Sequence, residues 1–138
     1  MYIDELKYYK KLATSPMNPT YDEILKANSL RGNEIKKTPL IHSPTFSDLT
    51  DSEIYLKAEF RQKTGSFKIR GAYYKIKSLS AEEKKQGVVA ASAGNHAQGV
   101  ALASSLENIS CTIVMPKNAS PAKVSATRGY GANVILEG

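Results

Sequence analysis

The stretch that decides the fold runs from Gly87 to Leu136 and reads GVVAASAGNHAQGVALASSLENISCTIVMPKNASPAKVSATRGYGANVIL. Short apolar segments alternate in it with longer segments rich in alanine. Strands that alternate with helices through short loops predict a parallel sheet with right-handed crossovers. The predicted strands are Gly87–Ala91, Ser110–Met115 and Asn133–Leu136, and the predicted helices are Asn95–Leu106 and Ala119–Arg128.

The same alternation extends toward the N-terminus. Glu53–Ala58 predicts a further strand, and Ser66–Leu79 predicts a helix with apolar residues at helical spacing. The order βαβαβαβ predicts the α/β class, a three-layer parallel sheet of about four strands. The strands are continuously apolar, which is typical of burial on both faces. In such sheets ligands bind at the carboxyl ends of strands, where the next helix begins.

The first part of the chain carries helical patterns instead of this alternation. Residues 1–13 and 20–31 are predicted as helices, the second with Thr20 as its cap and Gly32 past its end. Residues 1–36 are therefore expected to form an N-terminal helical segment. Residues 37–138 are expected to form one small α/β domain.

Charge and hydropathy exclude several classes of function. The formal net charge is +6, but the lysines are spread along the chain and often lie beside acids, as in AEEKK at 81–85. No basic block with interleaved aromatic residues occurs, so nucleic-acid binding is not expected. The apolar runs are too short to cross a bilayer, and the first residues have no apolar signal region. We therefore expect a cytoplasmic protein without membrane partners.

Cysteine and histidine usage bounds the chemistry further. The chain has one cysteine, Cys111, and two histidines, His42 and His96. One cysteine cannot form an internal disulfide, and this set of ligands is too small for a structural zinc site. Cys111 stands in a predicted strand and is expected to be a small buried apolar residue.

One junction between a strand and a helix contains Lys68, in the segment TGSFKIRG at 64–71. The turn places Lys68 in the first turn of a helix, where free N–H groups and the helix dipole create a positive environment. Such an environment favours a neutral amine, which is the nucleophile needed to bind a carbonyl cofactor. The alternative is an ordinary exposed lysine that extends into solvent.

A second junction, SAGNHAQG at 92–99, follows an apolar strand and opens a helix. Its small residues leave backbone N–H groups accessible to a carboxylate or a phosphate, and Asn95 adds a side-chain donor. An ordinary turn, with Ser92 or Asn95 as cap and Gly94 in the left-handed conformation, explains the same pattern. His96 is a candidate general base, or a residue turned toward the core or a neighbouring loop. The spacing matches neither GxGxxG nor a P-loop.

Taken together, the two junctions resemble the threonine/serine dehydratase branch of the fold-type II pyridoxal-phosphate enzymes. Thr64–Ala72 resembles the cofactor-lysine motif of that family, and Ser92–Ala101 resembles its substrate loop. The resemblance runs from about Lys37 to Gly138 and implies the smaller domain of a fold like that of the tryptophan synthase β subunit. Shorter matches follow in the family's order at Thr38–Leu40, Tyr55–Glu59, Ile113–Pro116 and Gly129–Ala132.

The resemblance implies roles for particular residues. Lys68 would hold pyridoxal 5'-phosphate as a Schiff base and later remove the Cα proton of the substrate. Phe67 would pack beside the cofactor ring, and Asn95 would bond to its phenolic oxygen. No metal ligand is implied. The implied substrate-binding residues are Ser66, Ser92, Ala93, Gly94, Asn95 and His96.

The implied reaction is β-elimination, which converts L-threonine to 2-oxobutanoate and ammonia, or L-serine to pyruvate. It would serve threonine catabolism or isoleucine biosynthesis. Ile69 argues against threonine and cysteine synthases of this fold, which usually have aspartate after the lysine. Ala93 argues against serine racemases, which resemble this loop but carry serine there as a second proton donor.

The family's glycine-rich phosphate loop does not occur in the chain. That loop belongs to the family's larger domain, so the resemblance implies an incomplete, inactive fragment of a homo-oligomeric enzyme. The N-terminal segment would pack on the larger domain. Two alternatives remain: a non-catalytic binding or interaction remnant of the fold, and a basic domain whose binding to polyanions depends steeply on salt.

Overall fold

The structure is a computed structural model that describes residues 19–138, so the helix predicted at 1–13 lies outside the described residues. One unit ends at Leu30 and a second spans Arg31–Gly138. The first contains helix α1 (Tyr21–Leu30). Its predicted cap is confirmed, because Thr20 Oγ1 accepts the Glu23 N–H at 3.3 Å while the Thr20 N–H donates to the Glu23 carboxylate at 2.7 Å.

The second unit contains both helices and strands, which confirms the α/β class. In chain order its elements are β1 (Leu40–His42), α2 (Pro44–Thr50), β2 (Tyr55–Lys57), a 3-10 turn (Glu59–Arg61), α3 (Lys68–Lys77), α4 (Ala81–Gln86), β3 (Val88–Ala91), α5 (Asn95–Leu106), β4 (Cys111–Met115), α6 (Pro121–Gly129) and β5 (Asn133–Leu136).

A parallel sheet of order β3-β4-β5 forms the base of this unit, as predicted. In its register Val88 lies beside Cys111, and Ile113 lies beside Val134. Sequential strand order with right-handed crossovers places α5 and α6 on the same face of the sheet. Ile113 is completely buried on that face, which is therefore the one that packs against the core.

The opposite face of the sheet is open among the described residues. Val89 is 75% exposed and Ile135 is 44% exposed. Burial of the strands on both faces, and with it the third layer of the predicted sheet, is therefore wrong for the part of the chain that the structure describes. The physical reason is the strand order, since both crossover helices cover one side only.

The segment predicted as the first parallel strand belongs elsewhere. Strand β2, inside Glu53–Ala58, pairs antiparallel with β1 in a separate two-stranded sheet. The parallel sheet of the described chain consequently has three strands rather than about four. A short apolar run shows an extended segment but contains no information on which strand it pairs with, so the pattern could not reveal this partner.

Two short helices were not predicted, although each has a start signal in the sequence. Helix α2 begins with Ser43 as N-cap and Pro44 in the first helical position. Helix α4 begins with a capping box, in which the Ser80 side chain and the Glu83 side chain bond each other's backbone N–H.

The core lies between α3, α5, α6 and the covered face of the sheet. Cys111 is buried there as predicted, and burial raises the pKa of its thiol. Ile35 is also buried in this cluster, so the unit boundary after Leu30 is earlier than the expected one after residue 36. The largest fully buried side chains are Ile69, Ile113, Met115, Thr127 and Ser104.

Candidate functional site

Helix α3 begins at Lys68, two residues after the predicted start at Ser66, so Lys68 lies in the first turn as predicted. The turn before it depends on Gly65, whose φ of +68° lies in the left-handed region that other residues rarely adopt. The Gly65 N–H donates to the Gln62 carbonyl at 2.9 Å and closes this turn. Phe67 is the N-cap residue, and no side chain caps the helix.

Lys68 and Phe67 form an exposed pair at this helix start. Phe67 is 59% exposed, and the Lys68 Nζ lies 5.1 Å from the centroid of its ring. This is the geometry of a cation–π contact. Both groups are accessible to a small molecule.

Two hydroxyls just before Lys68 are buried without a partner among the described residues. They are Thr64 Oγ1 and Ser66 Oγ, and both residues are 7% exposed. Buried polar groups in folded proteins nearly always have a hydrogen-bond partner. These two hydroxyls are therefore free hydrogen-bonding groups at the start of α3. Sequence reasoning gave a role to Ser66 and missed Thr64.

The Gln62 side chain ties this loop to the extended segment before β1. Gln62 is 4% exposed. Its amide accepts from the Lys36 N–H at 3.1 Å and donates to the Lys36 carbonyl at 3.0 Å. The two bonds resemble the pair of hydrogen bonds that joins residues of neighbouring strands, and they hold residues 36 and 62 side by side.

An ion pair adds a second tie, directly to the helix that carries Lys68. Arg70 donates to both carboxylate oxygens of Glu59, at 2.8 and 2.7 Å, and also bonds Thr38 Oγ1 at 3.2 Å. The hydrogen bond from Arg70 lowers the pKa of Glu59, and the same bond raises the pKa of Arg70. Sequence reasoning missed this pair, since its members lie on different elements.

The start of α5 is shaped by the Ser92 hydroxyl. Ser92 Oγ accepts the Gly94 N–H and the Ala97 N–H, each at 3.3 Å. The N-cap residue is Gly94, so Ser92 as the cap residue is wrong, although its hydroxyl binds the Ala97 N–H in the first turn. Gly94 has φ −142° and ψ −142°, so the left-handed conformation considered for it is wrong. The extended Gly94 lets the Ser92 side chain reach forward over the first turn.

The first turn of α5 keeps N–H groups free for an anion. The Asn95 and His96 N–H groups have no intrahelical acceptor because they lie at the helix start. Ala93 and Gly94 are half-buried, whereas Asn95 and His96 are exposed. Free N–H groups at a helix start can bind an anion, and the anion site itself stays a prediction.

His96 also lines an apolar groove of about 280 Å³ between α3, α5 and β3. The groove includes Gly71 and Lys75 of α3 and does not include Lys68. The role of His96 as a base stays a prediction.

The two junctions meet through Gly99 in α5. An added Cβ on Gly99 would lie 3.2 Å from the Lys68 carbonyl carbon, so the two helices are in close contact at this point. Asn95 lies four residues before Gly99 and therefore on the same face of α5. The structure brings the free N–H groups of α5 to the start of the helix that carries Lys68.

In the part of the chain that the structure describes, no group of three or more His, Cys, Asp or Glu side chains could hold a metal ion. None of the helices from residue 19 onward has both the length and the apolar character needed to cross a membrane.

Comparison with known proteins identifies the family. The model of the family described as pyridoxal-phosphate-dependent enzymes matches residues 32–137, which is most of the chain and includes both junctions. The chain belongs to this family. Its members depend on pyridoxal phosphate, which confirms the expected cofactor.

Individual members of the family are also similar to the chain. The L-threonine ammonia-lyase of Thermotoga maritima is 57% identical over 119 residues, which covers 86% of this chain and 30% of the relative. Its similarity confirms the resemblance to the threonine dehydratase branch. The chain spans about 30% of the length of the curated relatives it matches.

Solved structures of the family match the same part of the chain. Serine racemase from Dictyostelium discoideum has a TM-score of 0.79 and 42% identity, over 83% of this chain and 38% of that one. The processed threonine deaminase isoform 2 from Solanum lycopersicum has a TM-score of 0.75 and 38% identity, over 89% and 37%. These matches confirm the predicted fold class.

The residues of the site fit part of this cofactor. The exposed amine of Lys68 suits the aldehyde, and the exposed face of Phe67 suits the ring. The unpartnered hydroxyls of Thr64 and Ser66 supply hydrogen bonds that nothing else in the described chain uses. Donors of the glycine-rich loop type for the phosphate do not occur in the sequence.

Proposed function

We propose that the chain is the lysine-bearing part of a threonine ammonia-lyase, which converts L-threonine to 2-oxobutanoate and ammonia. The observation that carries the proposal is the placement of Lys68. Its amine is exposed at the start of α3, and its backbone contacts α5, the helix that offers free N–H groups. The 57% identity with the Thermotoga maritima enzyme supports this choice of reaction. L-Serine is the natural second substrate because it has the same β-hydroxyl.

In this proposal Lys68 is the catalytic residue. Its amine would hold the cofactor aldehyde and, when free, would accept the Cα proton of the substrate. When bound, pyridoxal phosphate would supply the electron sink for the pair left on Cα. Phe67 would pack beside the ring, and Asn95 would donate a hydrogen bond to its phenolic oxygen.

The start of α5 would bind the substrate carboxylate. The first-turn N–H groups of Asn95 and His96 face no intrahelical acceptor, and the helix dipole favours a negative charge there. Ala93 and Gly94 complete the wall of this pocket. Ser92 shapes the loop, since its hydroxyl is already bonded to two backbone N–H groups. Ser66 offers its free hydroxyl to the bound substrate.

The reaction balances with water alone. The Cα–H and Cβ–O bonds break, and the proton and hydroxide leave as water. A water molecule then replaces nitrogen at Cα, so ammonia leaves and the keto acid remains. The residues of this chain supply binding, orientation and one proton acceptor, and they supply no metal ligand set in the described part.

A spectroscopic titration tests the proposal. Wild-type chain, Lys68→Ala and Lys75→Ala are each titrated with pyridoxal phosphate. Lys75 is the matched control because it is an exposed lysine on the same helix. We expect the absorption band of the bound aldehyde in wild type and Lys75→Ala, and its loss in Lys68→Ala. Equal bands in all three proteins would remove Lys68 from the site.

A serine racemase is the second candidate, favoured by the TM-score of 0.79 with the Dictyostelium discoideum enzyme. Racemisation needs a proton donor on the face of Cα opposite to Lys68. The residue expected to supply it is Ala93 here, which carries no acidic proton. Chiral analysis of serine after incubation with the whole protein separates the two candidates, since D-serine forms only in the second.

The chain spans about 30% of the length of its relatives, so the activity of the whole enzyme is proposed from those relatives. We propose that a larger domain holds the phosphate, that the N-terminal helical segment up to Leu30 packs on it, and that the whole enzyme is a cytoplasmic homo-oligomer. Residues 1–138 alone should then form no 2-oxobutanoate from threonine. Keto acid formation that Lys68→Ala abolishes would contradict this, and a whole protein without turnover would support a non-catalytic remnant.

A further inference from the structure

Gly99 makes the tightest contact between the two halves of the site. A Cβ built on it would lie 3.2 Å from the Ile69 nitrogen, 3.2 Å from the Lys68 carbonyl carbon and 3.3 Å from the Lys68 carbonyl oxygen. These distances are shorter than nine in ten real Cβ contacts, so a neighbour would have to move by a few tenths of an ångström. All three atoms belong to the backbone that carries Lys68.

The other glycines inside helices lack such a contact. Gly71 in α3 and Gly129 in α6 have no atom within 4 Å of an added Cβ. Glycine destabilises a helix interior compared with alanine, so a helical glycine calls for a packing reason. Of these three glycines, Gly99 has such a reason in its close contact. The close approach is therefore a property of this position and not of helical glycines in general.

The backbone facing Gly99 has little freedom to move away. Arg70, two residues after Lys68, bonds Glu59 through two hydrogen bonds of 2.8 and 2.7 Å. Gln62, in the loop before Lys68, is bonded to the Lys36 backbone on both sides of its amide. Backbone atoms cannot rotate aside as a side chain can. A methyl group at Gly99 would therefore shift the start of α3 relative to α5.

That shift acts on the geometry of the site. Asn95 lies one helical turn before Gly99, on the same face of α5, so its N–H and side chain move with Gly99. Lys68 moves with the other helix. The separation between the lysine amine and the free N–H groups of α5 is set where Gly99 touches the Lys68 backbone.

We propose that Gly99 is a positioning residue that fixes Lys68 relative to the anion-binding start of α5. This inference rests on the proposed function of Lys68 and names the contact that makes it effective. Displacements of about 1 Å in a reacting site can cost about a hundredfold in rate. A shift of a few tenths should lower formation of the Lys68 adduct by roughly threefold to tenfold.

The test compares Gly99→Ala with Gly71→Ala and Gly129→Ala. Each purified chain is equilibrated with pyridoxal phosphate and reduced with borohydride, which delivers hydride to the carbon–nitrogen double bond left after water is lost. Mass spectrometry then gives the fraction of Lys68 carrying the adduct. Without cofactor, trace labelling with acetic anhydride gives the reactivity of Lys68 divided by that of Lys75 in the same molecules. Circular dichroism establishes that each variant is folded at the temperature used.

We expect the Lys68 adduct to fall by about threefold to tenfold in Gly99→Ala, and the ratio of Lys68 to Lys75 labelling to change. Both alanine controls should match wild type in both measurements. The labelling ratio is internal to each molecule, so a general loss of stability would not move it. Values for Gly99→Ala equal to the controls would overturn the proposal. So would an unfolded Gly99→Ala, because the contact would then hold the fold rather than the lysine.

Failure of the proposed function gives a different result. If wild-type chain carries no more adduct on Lys68 than on Lys75, the assignment of Lys68 fails. The labelling ratio without cofactor still decides on Gly99 in that case, since it reports the surroundings of the amine alone. An unchanged ratio in Gly99→Ala would then overturn the positioning role as well.

Discussion

The ion pair between Arg70 and Glu59 is the strongest electrostatic contact near Lys68. Its two charge-assisted bonds are partly shielded from water, since the Glu59 side chain is only 16% exposed. Glu59→Gln should therefore lower the free energy of unfolding by about 1–3 kcal/mol. Glu34→Gln is the matched control, because its pair with Lys63 is more exposed and should contribute about 0–1 kcal/mol. Equal losses in urea unfolding would contradict this ranking.

The same pair predicts a dependence of stability on pH. Arg70 lowers the pKa of Glu59 in the folded chain. Because the folded pKa is lowered, the pair contributes its full stability above the ordinary glutamate pKa of about 4.3. This stability is lost as the pH falls through the lowered value. The difference in unfolding free energy between wild type and Glu59→Gln should consequently shrink below about pH 4. A difference that stays constant down to acid pH would show that the pair contributes nothing.

Burial of Cys111 predicts that its thiol reacts slowly. Desolvation raises its pKa, so the reactive thiolate is scarce in the folded chain. Ellman's reagent should modify Cys111 only as fast as the chain opens, and modification should become immediate in denaturant. Rapid modification of the native chain would place Cys111 on an accessible surface.

At the residue scale, the sequence predicted what depends on neighbours along the chain. The position of Lys68 in the first turn of a helix follows from a short motif and is found. The Ser92 hydroxyl binds the first turn of α5, but the N-cap residue there is Gly94. Glu59 and Gly99 could not be predicted, because each matters through a residue on another element. The unpartnered hydroxyl of Thr64 becomes visible only when its surroundings are known.

Among the elements, the parallel sheet offers a direct test of its two faces. Ile113 is completely buried on the covered face, while Ile135 is 44% exposed on the other. Ile113→Ala should lower the free energy of unfolding by about 2–5 kcal/mol, through lost burial and a cavity. Ile135→Ala should cost less than about 1 kcal/mol. Comparable losses in the isolated chain would show that the open face is covered in solution.

Prediction of the elements was best where helices and strands alternate. Asn95–Leu106 and Asn133–Leu136 have the predicted bounds, because apolar periodicity and clear turn residues define them. The predicted place of the Glu53–Ala58 strand in the parallel sheet was wrong, and so was the predicted burial of both sheet faces. Both depend on which segments lie side by side, and an apolar run indicates only that a segment is extended.

For the whole molecule, the structure joins two sequence motifs into one site. The motif of Lys68 and the motif of Ser92–Gly99 lie on different helices and meet at Gly99. The hydrogen bond of Arg70 to Glu59 holds the lysine helix in place, and the hydrogen bond of Gln62 to the Lys36 backbone holds the loop before it. In the proposed function this arrangement is half of a cofactor site, with an exposed amine, an exposed aromatic ring and a helix start whose N–H groups are free.

The central claim is that Lys68 binds pyridoxal phosphate, and peptide mapping after borohydride reduction tests it most directly. The folded chain is equilibrated with the cofactor, reduced and digested, and the adduct is located by mass spectrometry. We predict that the peptide containing Lys68 carries most of the adduct, and that the peptide containing Lys75 carries little. An adduct spread evenly over the exposed lysines, or concentrated on another one, would contradict the account.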